Sequence, residues 1–489
     1  MTDASRPAPS RAPTDPALLS AEQLLALYAR RALSPVEALR AITERVARHN
    51  PWVNAFAALN PRALAAAGES EARWAAGRPL GPLDGVPVTV KDIMHLAGFP
   101  TRRGSRTTDP APVAEDAPAV MGLKAAGAVV LGKTTTTEFG WKTPGDCPLH
   151  GITRNPWDAR RTPGGSSSGA GAAGAAGFGP LHIGTDAGGS IRIPAAYCGL
   201  VGLKPSYGRV PQWPHGAFSA VACAGPMARG VRDAALMLSA MAVPDARDPY
   251  AMLDAPPRDW REGIEDGVRG LRVALVRRFG YDPPLDAGGE AALAQAADAL
   301  REAGAAVEEA DPPGLPDVRH AFGRVWGVAL ARLVAATPEE RRGLLDEGLA
   351  EVARREGGLS AVDLLGVEAM RVQTAHALSV FHLRYDAILT AATPTAAFAA
   401  DQPTIRPTEA LWRDWAPWTF AFNLSGQPAC AVPAWFDEDG MPRGVQVAAA
   451  RGRDDLCLRV ARALERELDL PLSDPAARAT TTGGRDTPA

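Results

Sequence analysis

Two serine-and-glycine knots constrain this chain more than any other feature. The first reads Arg161-Thr162-Pro163-Gly164-Gly165-Ser166-Ser167-Ser168-Gly169 and the second Gly184-Thr185-Asp186-Ala187-Gly188-Gly189-Ser190-Ile191-Arg192, so Ser166 and Ser190 stand 24 positions apart. Alanine and glycine fill most of the interval. Side chains this small let main chains approach closely and bring backbone N–H groups together. A serine nucleophile needs such a setting, because the oxyanion it creates is best held by donors already aimed at it. A flexible Gly/Ser linker is the competing reading. The flanks argue against it: Leu181-His182-Ile183 reads as a strand and Ile191-Arg192-Ile193-Pro194 as ordered chain.

The remaining chain reads as alternating helices and strands. Ser20-x-x-Gln23 and Ser34-Pro35-Val36-Glu37 are helix starts, and Val36, Leu39, Ile42 and Val46 recur at helical spacing. Ala55 to Leu59 predicts a strand and Arg62 to Ala76 a helix stopped at Gly77. Val86, Val88 and Val90 alternate in a short strand that leaves Lys91 at its end, where ligands gather in open α/β sheets. A helix from Asp116 to Ala126 and the strand Ala128 to Leu131 then suggest a parallel crossover. Thr134 to Thr137 predicts a loop beside the site. Downstream, strands are expected at Leu271–Val276, Val307–Glu309, Tyr385–Thr390, Cys430–Val432 and Val445–Val447. Helices are expected at Asp286–Ala303, before Ser425, and along Leu456, Val460, Leu464 and Leu468.

With Gly85-Val86-Pro87-Val88-Thr89-Val90-Lys91-Asp92 ahead of the two knots, the chain resembles the amidase signature family. The likeness extends to Gly132-Lys133-Thr134 through Gly140, to Gly199 through Pro205, and to Phe422-Asn423-Leu424-Ser425-Gly426-Gln427-Pro428. The resemblance implies a Ser–Ser–Lys triad: Lys91 as the base, Ser166 as the bridging serine on a cis peptide bond, and Ser190 as the nucleophile. It implies an oxyanion hole from the N–H groups of Ala187, Gly188 and Gly189 together with that of Ser190. Ser167, Thr185, Asp186 and Arg192 would support the site. Thr135 and Ser168 stand where the family usually has asparagine and glycine. The implied fold is one large α/β domain with a mixed, mostly parallel central sheet flanked by helices. That domain would span residues 17–472, between flexible tails at 1–16 and 473–489. The implied activity is hydrolysis of a small-molecule carboxylic amide through an acyl-enzyme, with no cofactor and no metal.

Substrate pockets in this family are lined by variable segments, here Trp141 to His150, Gln212 to Val221 and Gly314 to Val328. Trp213, Phe218, Phe322 and Trp326 would make an aryl or apolar pocket there. Two enzyme alternatives remain open. The family includes the glutamine-hydrolysing component of the tRNA-dependent amidotransferase, which works inside a complex. Gly165-Ser166-Ser167-Ser168-Gly169 also satisfies G-x-S-x-G, which would make Ser167 the nucleophile of an α/β-hydrolase. Trp157 to Pro163 is not the buried strand such a turn needs, and His376 and His382 read as helix-face residues. No GxxxxGK[ST] phosphate loop occurs.

Composition narrows the partners. At a net charge of −3 the chain has no electrostatic footprint for nucleic acid or an anionic membrane. Its five cysteines are odd in number and lack a CxxC pair, against a disulfide framework or zinc knuckle. Residues 1–16 lack the apolar stretch of a secretory signal, and no apolar run approaches the ~20 residues of a membrane span. The expected location is the cytoplasm and the expected partner a small-molecule amide, with a homodimer left open.

Overall fold

Hydrogen bonds at two serines start the first helices. Ser20 and Ser34 each accept from the N–H three residues on, while Gln23 and Glu37 accept the serine N–H in return. These reciprocal caps open α1 (Ala21–Ala29) and α2 (Pro35–Val53). The computed structural model describes residues 15–254, 256–402, 416–470 and 474–476. Next come β1 (Phe56–Leu59), α3 (Ala63–Ala75), β2 (Pro87–Lys91), α4 (Pro118–Ala125) and β3 (Val129–Thr134). β2 and β3 are parallel, so α4 is the expected crossover. It begins at Pro118 instead of Asp116, because the Asp116 carboxylate accepts from Ala97 N–H and Lys124 and does not cap a helix. β3 runs past Leu131 to Thr134, since Lys133 is buried against Asp92 at 2.7 Å and needs no solvent.

A short hairpin, β4 (Asp146–Cys147) with β5 (Gly151–Ile152), leads into the first knot. The Ala/Gly interval folds as α5 (Ser168–Ala175), buried at every position, followed by β6 (Leu181–Asp186). After the second knot come α6 (Arg192–Cys198), β7 (Val201–Lys204), β8 (Cys223–Ala228) and α7 (Val231–Met241). β9 (Arg272–Leu275), α8 (Ala287–Glu302) and β10 (Ala306–Glu309) form a second parallel crossover. Three helices follow: α9 (Val318–Ala336), α10 (Glu347–Glu356) and α11 (Ala361–Phe381). The chain then returns through β11 (Ala387–Ala391), α12 (Phe420–Leu424), β12 (Ala429–Phe436), β13 (Pro442–Ala449) and α13 (Asp454–Leu468).

Among the described residues eleven strands make one mixed sheet in the order β1-β3-β2-β6-β8-β7-β12-β13-β11-β9-β10. Its parallel pairs fall in two blocks, β3-β2-β6 and β11-β9-β10, and antiparallel pairs join them. Both faces are covered, as the period of two in strand side chains requires. Leu389 and Val447 join the cluster beneath α7, α8 and α13, while their neighbours Ile388 and Ala448 join the one beneath α9 and α12. The α/β class with helices on both faces is as expected.

The two expected tails lie mostly outside the described residues. Where they are described, Asp15 accepts from Ala17 N–H at the start of a 3₁₀ turn over Pro16–Leu18. At the other end Asp474 pairs with the buried Arg45, and Ala476 is buried.

Candidate active site

β2 and β6 are parallel neighbours, with Val90 opposite Ile183. Lys91 and the second knot therefore leave the sheet at the same edge. The first knot reaches that edge just before α5, whose small side chains let it lie close against the sheet: a Cβ on Gly169 would stand 2.4 Å from Ala55 O. The Ser167 N–H donates to Ser190 O at 3.2 Å and ties the two knots together. The Gly165–Ser166 peptide bond is cis.

Lys91 is fully buried, with its Nζ 2.8 Å from Ser166 Oγ and 2.9 Å from both Ser167 Oγ and Thr185 Oγ1. Among the described residues no carboxylate touches it. Burial holds its pKa well below the ordinary lysine value, and the charge of Asp186 only partly opposes this. A neutral amine has two N–H bonds and one lone pair, so one of the three hydroxyls must donate to the nitrogen. Ser167 Oγ donates to Thr185 O at 3.2 Å, which leaves that part to Ser166 or Thr185. Ser166 and Ser190 line one cavity of about 420 Å³, together with Thr185 and Ala187. Ser167 is fully buried and does not line it. The α/β-hydrolase reading therefore lacks an accessible nucleophile. Among the described residues no histidine meets Ser167 Oγ, whose partners are Lys91 and Thr185; His182, the histidine of β6, has Nδ1 at 2.8 Å from Thr89 Oγ1 and Nε2 at 3.1 Å from Gly179 O. Burial, then the charge of Arg229, pushes it down to about 3.

Asp186 organises the turn after β6. Its carboxylate accepts from Gly189 N–H at 2.7 Å, Ile191 N–H at 3.2 Å, both sides of the Arg192 guanidinium at 2.9 and 3.0 Å, and Asn423 at 2.9 Å. Burial works to raise this carboxyl, but the charge and hydrogen bonds of Arg192, then Asn423, hold it well below the usual range. Gly189 is thus removed from the expected oxyanion donors, because its N–H is already given to Asp186. Its φ of +125° instead makes the turn, a conformation that glycine adopts without strain. Among the described residues, no acceptor meets the N–H groups of Ala187, Gly188 or Ser190. Gly188 is needed for space, since a Cβ there would stand 2.5 Å from Phe322 Cζ.

The cavity wall only partly follows the expected segments. Trp213 and Phe218 line it, but Phe322 and Trp326 stand behind, stacked on Phe420 and Phe218 at 4.0 and 3.9 Å. From α9 it is Arg332, Leu333 and Ala336 that face the cavity, about three to four turns beyond Phe322, and Phe139 and Gly140 take the place of Trp141 to His150. Thr419, which donates to Gly188 O at 2.5 Å, and Gln446, which accepts from Arg192 at 2.9 Å, escaped the sequence reading. Nothing local marks them. Asn423 was visible only as part of a motif. Among the described residues no group of three or more His, Cys, Asp or Glu side chains is placed to hold a metal ion, and no helix is long and apolar enough to cross a membrane.

Comparison with known proteins agrees along most of the chain. The family model Amidase matches residues 37–458. An acylamidase of Rhodococcus erythropolis is 36% identical over 460 residues, covering 91% of this chain and 95% of the relative. A glutamyl-tRNA(Gln) amidotransferase component of Anaeromyxobacter dehalogenans strain 2CP-C is 37% identical over 477 residues, with the same coverage of 91% and 95%. The crystal structure of a bacterial aryl acylamidase superposes with a TM-score of 0.86 at 26% identity, covering 94% of this chain and 99% of that one.

Proposed function

This chain belongs to the amidase family, and from that premise we propose that it hydrolyses a small-molecule carboxylic amide through an acyl-enzyme on Ser190. The observation that carries the reading is a buried lysine held by three hydroxyls, beside a cavity onto which Ser166 and Ser190 both open. A serine hydroxyl is a weak nucleophile until a base takes its proton, and a lysine serves as base only when neutral. In this mechanism Ser166 passes its proton to Lys91 Nζ while taking the one from Ser190. Ser190 Oγ then bonds to the amide carbon. The carbonyl oxygen gains negative charge before the N–H groups of Ala187, Gly188 and Ser190, where each donor contributes about 2.7–4 kcal/mol. The C–N bond breaks as Ser166 gives a proton to the leaving nitrogen and recovers one from Lys91. Water cleaves the acyl-enzyme by the same proton path in reverse.

Ser190→Ala should lower amide hydrolysis by about 10,000-fold or more. Ser167→Ala should keep a measurable rate, because Ser167 braces the knot and does not face the cavity. A fluorophosphonate adduct located by mass spectrometry on Ser167 would overturn the assignment.

The amidotransferase relatives favour a second reading, a glutaminase that works within an amidotransferase complex. Purified chain releasing ammonia or amine from simple amides supports the first reading; activity only after the other components of such a complex are added supports the second. The five cysteines are all buried and unpaired, which suits a reducing cytoplasm. A homodimer fits α11 and the turn after it, where Val362, Leu365, Val372 and Leu383 stand 66–79% exposed at heptad-like steps. Leu365→Glu should then halve the mass measured by light scattering, and an unchanged monomeric mass for the parent chain would exclude the dimer.

A further inference from the structure

Among the described residues Arg103 is a cation at the wall of the cavity with no ion pair, although the charge of Asp92 acts on it. It stands in the turn Arg102-Arg103-Gly104 with a φ of 53°. Its N–H donates to Asp92 O at 2.9 Å and its carbonyl accepts from Phe139 N–H at 2.8 Å. Both backbone groups are engaged, so what Arg103 can offer the cavity is its guanidinium. Among the described residues that half-buried guanidinium makes no hydrogen bond and no ion pair. The neighbouring carboxylate, Asp92, pairs instead with Lys133, accepting from its Nζ through Oδ1 at 2.7 Å.

Arg332 adds a second positive charge to the wall. His95, His215 and Arg332 line the cavity with Arg103, and among the described residues no Asp or Glu does. His215 faces Asp248 at 3.3 Å, and among the described residues the buried Nδ1 atoms of His95 and His215 have no hydrogen-bond partner. His95 is held below the ordinary histidine value by burial, then by the positive charges of Arg103 and Lys133. A desolvated charge without a partner is costly, and a ligand that brings the opposite charge recovers that cost. The planar fork of a guanidinium matches a carboxylate with two parallel hydrogen bonds.

We propose that the amide hydrolysed at this site carries a carboxylate, and that Arg103 is the residue that binds it. The proposal rests on the amidase reading above. One guanidinium balances one negative charge, and His95 beside it supplies a neutral imidazole for a further hydrogen bond. Arg103 would therefore set which amides are accepted, while taking no part in proton transfer.

The experiment compares kcat/KM within two matched pairs. Succinamate against butyramide places the carboxylate on the acyl side, and N-acetyl-4-aminobenzoate against acetanilide places it on the amine side. In at least one pair the carboxylated member should be preferred by about tenfold or more, mainly through KM. Arg103→Gln should bring that ratio toward one, and Arg103→Lys should keep part of it. The parent enzyme alone suffices to overturn the proposal. Hydrolysis of the neutral amides with no preference in either pair would reject it and leave the amidase reading intact. A preference that survives Arg103→Gln would also reject it. Failure to hydrolyse any of the four amides would reject both.

Discussion

Lys91 shows how a single residue divides between stability and chemistry. Its nitrogen has only hydroxyl oxygens and Thr185 O around it, so burial depresses its pKa without a contacting anion to restore it. Acylation should rise with pH through one group lying well below the ordinary value of 10.5. Lys91→Ala should lose several orders of magnitude on amides and less on activated esters, whose leaving groups need no proton. Lys91→Arg should do no better, because guanidinium keeps its proton. A stability slope follows from the same shift. Between the folded value and 10.5 the unfolded chain holds a proton that the folded chain has lost, so stability rises with pH across that window. Lys91→Met lacks this slope. In circular-dichroism melts from pH 7 upward, the parent's melting temperature should gain on that of Lys91→Met; a constant gap would mean that folded Lys91 is charged. At this scale a motif names Lys91, Ser166 and Ser190, and the fold sets Lys91 against Ser166 and opens both serines onto one cavity. Gly189 was misjudged because the direction of an N–H depends on the carboxylate it meets, here Asp186 three residues away.

The elements were legible where they carry their own boundaries. Ser34 with Glu37 marks the start of α2, and alternating valines mark β2, because caps and periodicity are local properties. α5 was not legible. Its residues, Ser-Gly-Ala-Gly-Ala-Ala-Gly-Ala, have no apolar face, and four of the eight are serine or glycine. Its helicity comes from the narrow slot between the sheet and α6, and that origin predicts opposite outcomes for one chemical change. Glycine to alanine in a helix is worth about 1 kcal/mol where space allows. Gly68 in α3 has nothing within 4 Å of an added Cβ, so Gly68→Ala should raise the melting temperature. At Gly169 the added Cβ would stand 2.4 Å from both Ala55 O and Thr135 N, which are backbone atoms and cannot rotate away. Overpacking of about 1–3 kcal/mol should then exceed the propensity gain, and Gly169→Ala should lower the melting temperature. Stabilisation at Gly169 would mean that α5 does not depend on this close approach.

Across the whole molecule, the groups proposed for chemistry and part of the substrate wall stand on different supports. Lys91, Ser166 and Ser190 sit at the edge of the sheet, whereas Arg332, Leu333 and Ala336 reach the cavity from α9. The segment that carries α9 and α10 is fastened to the loop beside Ser166 by a few polar contacts. Asp346 caps α10 through Gly348 N–H at 2.9 Å, pairs with Lys142 at 2.8 Å, and donates its own N–H to Glu138 at 2.6 Å. Trp326 Nε1 adds a bond to Trp141 O at 2.9 Å. Asp346→Ala removes both the cap, worth about 0.5–2 kcal/mol, and the pairing with Lys142. Hydrogen exchange should therefore quicken across residues 318–356 while the sheet amides stay protected. A wall set loosely should raise KM for an aryl amide, where contact with α9 matters, more than it lowers kcat. Asp346→Asn keeps a capping side chain and loses only the charge, so it should fall between the parent and the alanine variant. Lys142 retains Asp146 at 2.7 Å in both variants, which keeps its buried charge paired and confines the effect to the fastening. Equal loss of kcat and kcat/KM with unchanged exchange in α9 and α10 would show instead that Asp346 acts on the reacting groups themselves, and the separation of wall from chemistry would have to be abandoned.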